Sequence, residues 1–415
     1  MKSQSLSRRQ LLAGAAFAPQ VATRPPGRPA ANDRIRVGVI GVGPRANLLI
    51  DQLPEQAQVV AVSDCYLKRC EDAAAKRQAQ WRIYNDYRKL LDQKDIDGVI
   101  VATHDFGRAL CVVHACQAGK DVYAEKPLTL YVEEGRTLVK AARKYNRVVQ
   151  VGTQQRSMAM DQLGSEFVRK GGLGRLLFVQ GVNYPGPGRY AGMPEEPIPE
   201  GLDWNTWLNQ TEMRPYNAKM LNSWGRFRDY SGGEVTNWGA HGLDQIQCAL
   251  GTDLTGPTEF WPLPESGRGA VAFRYQNGVT VRLELPMGDL VSGAIFVGEK
   301  GRIELIRNNF RTDPPRMIKE LPPPEEVQKW RDDVALWQAK YHMGNWLDCM
   351  RTREKPLADV EIGHRSVSIC HLVGITREVN RKLKWDPEAE RFIGDEEANG
   401  LLRRARRKGF ELPEV

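Results

Sequence analysis

The sequence predicts two domains of different class: an N-terminal α/β domain around a doubly wound parallel sheet, and an α+β domain around a mainly antiparallel open sheet packed with helices. A chain of 415 residues is too long for one ordinary hydrophobic core. Up to residue 152, short apolar runs alternate with segments of helical spacing, as in parallel sheets covered on both faces. Beyond it, strands follow one another through short glycine-containing links, which indicates antiparallel pairing.

The spacing of apolar residues places the elements of each domain. In the first domain we expect strands at 36–40, 59–62, 98–102, 121–124 and 148–151, and helices at 45–53, 67–80, 108–118 and 132–145. In the second domain we expect helices at 161–170, 235–250, 334–351 and 365–382, and strands at 176–180, 269–275, 279–285, 293–297 and 302–306.

The first 32 residues have the layout of an export signal followed by a linker. Arg8 and Arg9 precede a short apolar run and an Ala-x-Ala site at Ala16 to Ala18. That run is too short to span a bilayer, and the arginine pair resembles a twin-arginine signal. We therefore expect export in the folded state, to the periplasm, with a disordered basic terminus as the alternative.

Charge and cysteine usage exclude several classes of function. The net charge is +8, but much of the excess lies in the N-terminal arginines and in a run from Arg403 to Lys408, for which we expect a solvated helix end. No basic stripe with interleaved aromatic residues crosses the chain, so nucleic-acid binding and a membrane span are not expected. The seven cysteines are odd in number and form no CxxC pair, which favours buried free thiols over disulfides or a metal site.

A glycine turn between the first strand and the first helix predicts a dinucleotide site of the Rossmann type. The turn consists of Gly41, Val42, Gly43, Pro44, Arg45 and Ala46. The first glycine permits the tight bend, the second admits the pyrophosphate, and the small Ala46 lets helix and strand pack closely. Asp64 ends the second strand, where a carboxylate binds the ribose hydroxyls and repels a 2'-phosphate. The glycine turn and Asp64 together predict NAD rather than NADP. The alternative is that Asp64 only caps the next helix.

A second group of polar residues lies in the helix expected at 235–250. Asn237, His241 and Asp244 stand at positions i, i+4 and i+7, so all three project from one face of a helix. After Gly232 and Gly233, this face is expected to line a cleft, and a solvated helix face is the alternative.

The order of motifs along the chain resembles the Gfo/Idh/MocA oxidoreductases. The resemblance runs from about Ile35 to the C-terminus. The motifs that carry it are the glycine turn, Asp64, Glu125-Lys126-Pro127, Gly152 to Arg156, Asp203-Trp204-x-x-Trp207-Leu208, Gly232 to Asp244 and Asn345 to Cys349.

This resemblance implies domains at 33–155 for NAD binding and 156–415 for substrate binding, catalysis and oligomerisation, after the export signal and linker at 1–32. It implies a homo-dimer or homo-tetramer. The implied cofactor-binding residues are Gly41, Gly43, Pro44, Arg45, Ala46, Asp64, Thr103, Glu125 and Lys126. The implied catalytic residues are Lys126, His241, Asn237 and Asp244, and the implied substrate-binding residues are Arg156, Tyr184, Trp204, Trp207, Asn237 and His241.

By position in these motifs, Lys126 would hold the reacting hydroxyl near the nicotinamide and His241 would be the general base, a task that suits imidazole near neutral pH. Two departures from the family pattern stand out. Asn237 takes the place of a frequent aspartate, so either His241 acts alone or with Asp244 or Asp203, or the chemistry differs. His104 replaces a proline-containing segment, as a cofactor or substrate contact or as a simple loop residue.

Three functions follow from these observations. The first is an NAD-dependent dehydrogenase acting on a secondary hydroxyl of a sugar, cyclitol or glycoside. Aromatic residues of the 184–230 stretch, among them Tyr190 and Trp224, would then stack on sugar faces, or else form core packing. Because export separates the protein from free NAD, the second is a redox-neutral glycoside-cleaving enzyme with retained cofactor. The third, which Asn237 favours, is a non-catalytic sugar-binding protein.

Overall fold

The computed structural model describes residues 33–288, 290–331 and 338–415. The predicted export signal and linker at 1–32 lie outside the described residues, as does the start of the helix expected at 334–351. Among the described helices, none has both the length and the apolar character that a membrane crossing requires.

The first domain is built on six parallel strands in the order β3-β2-β1-β4-β5-β6. These strands are β1 (Ile35–Ile40), β2 (Ala57–Ser63), β3 (Arg82–Tyr84), β4 (Gly98–Val101), β5 (Asp121–Ala124) and β6 (Val149–Val151). The order reverses between β1 and β4, and at such a reversal a crevice opens at the carboxyl ends of the strands. The predicted doubly wound sheet is confirmed.

Five helices accompany this sheet: α1 (Pro44–Asp51), α2 (Leu67–Lys76), α3 (Tyr87–Leu91), α4 (Asp105–Gln117) and α5 (Val132–Lys144). The sequence reading missed β3 and α3. Strand β3 has three residues, none of them buried, so it lacks the apolar run that marks its neighbours. Helix α3 has five residues, which is too short for helical periodicity to appear.

The second domain contains a nine-stranded sheet in the order β13-β12-β11-β7-β10-β9-β8-β14-β15. Its strands are β7 (Leu176–Val182), β8 (Glu259–Pro262), β9 (Val271–Arg274), β10 (Thr280–Leu285), β11 (Ala294–Gly298), β12 (Gly301–Ile306), β13 (Asn309–Asp313), β14 (Leu383–Asp386) and β15 (Arg391–Phe392). Only β7 and β10 pair in parallel among these described neighbours, so the predicted mainly antiparallel sheet is confirmed. Strands β8, β13, β14 and β15 were not predicted.

Nine helices in the described residues cover this sheet and its connections. They are α6 (Ala159–Arg169), α7 (Trp204–Leu208), α8 (Ala218–Ser223), α9 (Glu234–Asn237), α10 (Gly239–Leu250), α11 (Pro324–Gln328), α12 (Lys340–Thr352), α13 (Val360–Val379) and α14 (Glu396–Gly400). The helix expected at 235–250 is present over these residues but is interrupted at Trp238, which separates α9 from α10. The helix expected at 365–382 begins earlier, where the Asp359 carboxylate accepts the Glu361 N–H at 3.1 Å.

The last third of the chain returns to the first domain. From α12, Met343, Trp346 and Leu347 join the core formed by β1 and α1. From α13, Val360 and Val367 join the core on the other face of the parallel sheet. The two domains therefore share hydrophobic cores rather than meeting across a linker.

The basic C-terminal run is not the solvated helix end that the sequence suggested. It is an irregular strap without helix, and Arg406 forms a buried ion pair with Glu134, their side chains being 11% and 4% exposed. Arg404 donates to the carbonyl oxygen of Asp229 at 2.7 Å, and Arg407 donates to that of Asn209 at 2.8 Å. The strap ties α5 of the first domain to the 203–230 segment of the second.

We predict that Arg406→Gln lowers the thermal unfolding midpoint by several degrees. Removing one partner of a buried ion pair leaves the other charge unpaired, at a cost of about 3–5 kcal/mol. Arg403→Gln is the matched control, because Arg403 is an exposed member of the same run. Equal midpoints for the two variants in differential scanning calorimetry would contradict the structural role of the strap.

Candidate active site

A cleft of about 940 Å³ opens at the carboxyl ends of β1, β2, β4 and β5. The first domain contributes the glycine turn, the end of β2 and the loops after β4 and β5 to its wall. The second domain contributes α7, the start of α10 and a residue of the hairpin between β12 and β13. The cleft therefore joins the predicted cofactor site to the predicted catalytic residues.

The glycine turn has the geometry that a dinucleotide requires. Gly41 has φ +82°, and a Cβ there would lie 2.8 Å from the backbone nitrogen of Thr103. At Gly43 no described atom lies within 4 Å of an added Cβ, so the backbone borders open space at the start of α1. A phosphate can approach the uncapped N–H groups of this helix end. Pro44 and Arg45 line the cleft, whereas Ala46 lies in the core beneath them, as its packing role requires.

Asp64 connects the glycine turn to the end of β2. Its Oδ2 accepts the N–H of Val42 at 2.7 Å, and its Oδ1 accepts the N–H of Tyr66 at 2.9 Å. The carboxylate orders the loop that enters α2 and also faces the cleft, where its remaining lone pairs can accept ribose hydroxyls. Arg69, which the sequence reading did not single out, places its Nη1 4.0 Å from Oδ2. These residues fit an adenosine ribose of NAD.

Glu125 organises the centre of the cleft. Its buried carboxylate accepts from Arg45 at 2.8 Å and from the backbone N–H of Lys126 at 3.0 Å. Gly152 lies against it, since a Cβ there would come within 3.0 Å of the carboxylate. Gln154, also missed by the sequence reading, approaches at 3.4 Å. Arg45 is thus already neutralised by the protein.

Lys126 reaches from the first domain to the second. Its Nζ donates to Oδ1 of Asn237 at 2.7 Å and to the carbonyl oxygen of Asn237 at 3.3 Å. Burial lowers the pKa of Lys126 to about 8, although the nearby Glu125 and Asp105 favour the ammonium form. Asn237 accepts a hydrogen bond but brings no opposite charge, so it does not counteract this shift as an aspartate would.

His241 lies at the start of α10 on the wall of the cleft and is 3% exposed. Its Nδ1 is buried and has no hydrogen-bond partner within the described ranges. Burial, together with the cations Arg307 and Lys126, lowers the pKa of His241 well below its usual value of 6.5. The imidazole is therefore neutral at pH 7, and the same burial and cations make it a weaker base than a free histidine.

Asp244 and Arg156 do not reach the cleft. Arg156 donates to both carboxylate oxygens of Asp244 at 2.8 Å, and it also pairs with Asp253 at 2.8 Å. Ser366 of α13 donates to the same Asp244 carboxylate at 2.6 Å. Asn237, His241 and Asp244 were expected on one helical face, but the turn between them tightens at Trp238, whose carbonyl oxygen accepts the N–H of His241 at 3.0 Å. The structure thus brings Asn237 and His241 to the cleft and leaves Asp244 in a buried ion pair.

The aromatic residues divide between the cleft and the core. Trp207 and Trp224 line the cleft, whereas Trp204 stacks behind Trp207 with ring centroids 4.4 Å apart. Tyr184 is buried beneath α10, and Tyr190 packs on Phe227. Asp203 accepts the N–H of Thr206 at 2.9 Å as the N-cap of α7.

His104 belongs to the cleft wall rather than to a free loop. Its ring stacks on Phe106 at 3.7 Å and meets the edge of Trp207 at 5.4 Å. Burial lowers the pKa of His104 to about 3, so this imidazole is also neutral. Trp207 and Trp224, whose rings are inclined to it by 70° and 74°, complete an aromatic wall of the kind that packs against sugar rings.

Two regions of the chain match models of one protein family. Residues 35–153 match the NAD-binding Rossmann fold of the oxidoreductase family, and residues 188–412, more than half of the chain, match its C-terminal alpha/beta domain. The chain belongs to the Gfo/Idh/MocA oxidoreductase family. The first domain of this family member is accordingly an NAD-binding domain, which confirms the predicted cofactor.

Relatives with curated names match over part of their length. Inositol 2-dehydrogenase of Salmonella paratyphi B is 28% identical over 184 residues, which make up 43% of this chain and 53% of the relative. The chain thus spans about half the length of such relatives.

Solved structures match over most of the chain. The WlbA dehydrogenase of Bordetella pertussis, in complex with NADH and UDP-GlcNAcA, has a TM-score of 0.60 at 19% identity and covers 85% of this chain and 99% of its own. The aldose-aldose oxidoreductase of Caulobacter crescentus has a TM-score of 0.58 at 16% identity, with coverages of 85% and 99%. At these identities the likeness shows the shared fold.

We predict that Asp64→Ala weakens NADH binding about tenfold, because charge-assisted hydrogen bonds to the ribose are lost. NADPH should bind better to this variant than to the parent, since the repelling charge is gone and Arg69 remains. Fluorescence titration with each nucleotide measures both effects. Asp72→Ala, which removes an exposed aspartate of α2, is the control. An unchanged dissociation constant for NADH would remove Asp64 from the cofactor site.

We predict that Asp244→Ala chiefly destabilises the protein. The change leaves the buried Arg156 without its main partner, at a cost of about 3–5 kcal/mol. The thermal midpoint should fall by several degrees, whereas His241→Ala should stay near the parent midpoint. A catalytic role for Asp244 would instead give a stable variant that binds NADH normally and fails in turnover.

Proposed function

We propose that this chain is an NAD-dependent oxidoreductase that transfers hydride between the nicotinamide and a secondary hydroxyl of a sugar, cyclitol or glycoside. The observation that carries the proposal is that Lys126 and His241, from different domains, face the cleft that begins at the glycine turn. NAD, when bound, supplies the hydride acceptor. The residues that would hold it are those of the glycine turn, Asp64 and the loop after β5.

The proposed chemistry divides between the two side chains. Lys126, as an ammonium, holds the oxygen of the reacting hydroxyl and stabilises negative charge that develops on it. His241, as a neutral imidazole, takes the proton of that hydroxyl. Asn237 positions the Lys126 ammonium through its 2.7 Å hydrogen bond. The wall formed by His104, Trp207 and Trp224 packs against the apolar face of the sugar and excludes water.

The export layout of the first 32 residues motivates a second proposal, that the cofactor is retained and recycled. A closed cycle then couples oxidation of one sugar to reduction of another, or oxidises a glycoside transiently so that its bond breaks before re-reduction. A non-catalytic sugar-binding protein is the remaining alternative. Fractionation of cells that express the parent and an Arg8→Lys, Arg9→Lys variant tests the periplasmic location.

We also propose a homo-dimer or homo-tetramer that forms through the uncovered face of the nine-stranded sheet. Side chains on this face form a shallow depression lined by Phe178, Gln180, Thr280, Arg282 and Glu284. Light scattering on the purified protein measures the assembly, and a monomeric parent protein contradicts the proposal.

One experiment separates the proposed functions. The purified protein is examined for bound NAD by mass and absorbance, and sugars and glycosides are then added. Accumulating NADH supports the dehydrogenase, and released aglycone without net NADH supports the redox-neutral enzyme. Lys126→Ala and His241→Ala should each abolish turnover while NADH binding stays within a few-fold of the parent. Turnover within a few-fold of the parent in either variant would remove the assignment, and failure to bind NAD would refute the enzyme as a whole.

The pH dependence tests the role of Lys126. If the ammonium form is required, kcat/KM should fall as the pH rises through about 8, the pKa of this lysine. Asn237→Asp adds an opposite charge beside Nζ, which raises the pKa of Lys126, so the alkaline limb should move upward by about one unit. A limb that stays in place or moves downward in this variant would show that Lys126 does not set it.

A further inference from the structure

Arg307 is a buried charged residue of the cleft to which the proposed chemistry gives no task. It lies in the turn between β12 and β13 and is 7% exposed. Its side chain lines the cleft together with His241. Of the charges around His241, that of Arg307 lowers the pKa of the imidazole most. Arg307 therefore lies in the part of the cleft that contains His241, Glu125 and Arg45.

The turn that carries Arg307 is held firmly in place. The backbone N–H of Asn308 donates to Oδ2 of Asp161 on α6 at 3.0 Å. The side-chain amide of Asn308 donates to the carbonyl oxygen of Val327 at 3.1 Å. These two bonds fix the backbone next to Arg307, so its guanidinium is presented to the cleft from an anchored hairpin.

The guanidinium of Arg307 has no counter-ion in the part of the chain that the structure describes. Its Nε and Nη1 are buried and have no hydrogen-bond partner among those residues. Two acids lie near it: Asp161, whose pKa burial raises to about 8, and Glu125, which already accepts from Arg45 at 2.8 Å. By contrast, Arg45 has Glu125 at 2.8 Å and Arg69 has Asp64 at 4.0 Å. A buried charge without a partner costs several kcal/mol, and an anionic ligand would offset that cost.

We propose that Arg307 binds an anionic substituent of the substrate, a carboxylate or a phosphate, and that the substrate is therefore an acidic sugar rather than a neutral one. This inference rests on the proposed function for its placement of the sugar. The pyrophosphate of NAD is the competing occupant, because Arg307 also interacts with Arg45 at the N-terminus of α1, and the NADH titration described below separates the two. A guanidinium is suited to either anion because all of its hydrogen-bonding groups are donors.

Small anions test the site without knowledge of the sugar. NADH-loaded protein is titrated with acetate and with inorganic phosphate, and tryptophan fluorescence is followed. We expect saturable binding of at least one probe, weakened tenfold or more in Arg307→Gln and partly restored in Arg307→Lys. Arg311→Gln, which removes an exposed arginine of β13 in the same hairpin, should bind like the parent. The probe that binds more tightly identifies the anion as carboxylate or phosphate. Absent binding in the parent, or equal binding in Arg307→Gln, would overturn the proposal.

Two further measurements separate this inference from other roles of Arg307. NADH should bind to Arg307→Gln as to the parent, and a matching loss of NADH affinity would assign the arginine to the cofactor instead. The thermal midpoint of Arg307→Gln should equal or exceed that of the parent, because an unpaired buried charge is removed. A fall of several degrees would show an internal partner and refute the inference.

A substrate panel completes the test. It contains uronates, sugar phosphates and their neutral parent sugars, assayed with the parent and with Arg307→Gln. The best substrate should be acidic, and its kcat/KM should fall at least tenfold in the variant. A neutral best substrate with unchanged kcat/KM in the variant would overturn the inference. If the parent binds no NADH, the proposed function fails, while anion titration of the nucleotide-free proteins still decides the role of Arg307.

Discussion

The buried ion pair between Arg156 and Asp244 fixes the arrangement on which the cleft depends. Arg156 follows the last strand of the parallel sheet, Asp244 lies on α10, and Ser366 of α13 completes the contact. The pair thus holds α10 against the segment that follows β6, one turn beyond His241. Because burying both charges costs desolvation energy, such a pair contributes little net stability. Its effect here is to allow one position of α10, and so one position of the imidazole over the cleft.

Around the His241 imidazole, some charged side chains of the cleft form ion pairs within the protein and others do not. Glu125 neutralises Arg45, and Asp64 lies beside Arg69. Both histidines of the cleft are kept uncharged by burial, as the lowered pKa values of His104 and His241 indicate. Lys126, Arg307 and the exposed Arg226 are then the cleft-lining cations with no carboxylate bound to them among the described residues. A hydroxyl placed between an ammonium and a neutral imidazole meets the two groups that proton removal needs.

The sequence alone predicted the structure correctly at positions where a residue type has one structural use. Gly41 needs a positive φ, the apolar run of β4 needs burial on both faces, and Asp64 stands at a fixed distance from the turn. It was not sufficient for short or half-exposed elements such as β3 and β15, whose pairing comes from neighbouring strands rather than from their own pattern. Helical periodicity showed which residues share a face, but it could not show that Trp238 interrupts the helix or that Asp244 faces an arginine. No local sequence pattern pointed to Arg307, because the residue reaches the cleft only through the packing of the β12–β13 hairpin, which is distant in sequence from the other cleft residues.

The C-terminal strap limits how far the aromatic wall of the cleft can move relative to the first domain. Arg407 donates to the carbonyl oxygen of Asn209 beside α7, which carries Trp207, and Arg406 pairs with Glu134 on α5. Glu134 also accepts from Gln210 at 2.9 Å, so a single carboxylate links the strap, the aromatic wall and the first domain. Because opening the wall would break several of these charge-assisted bonds together, the sugar-facing side is held closed against the domain that binds NAD. A wall tied to the cofactor domain in this way would slow the release of a bound dinucleotide, which is the behaviour that the proposed retention of the cofactor needs.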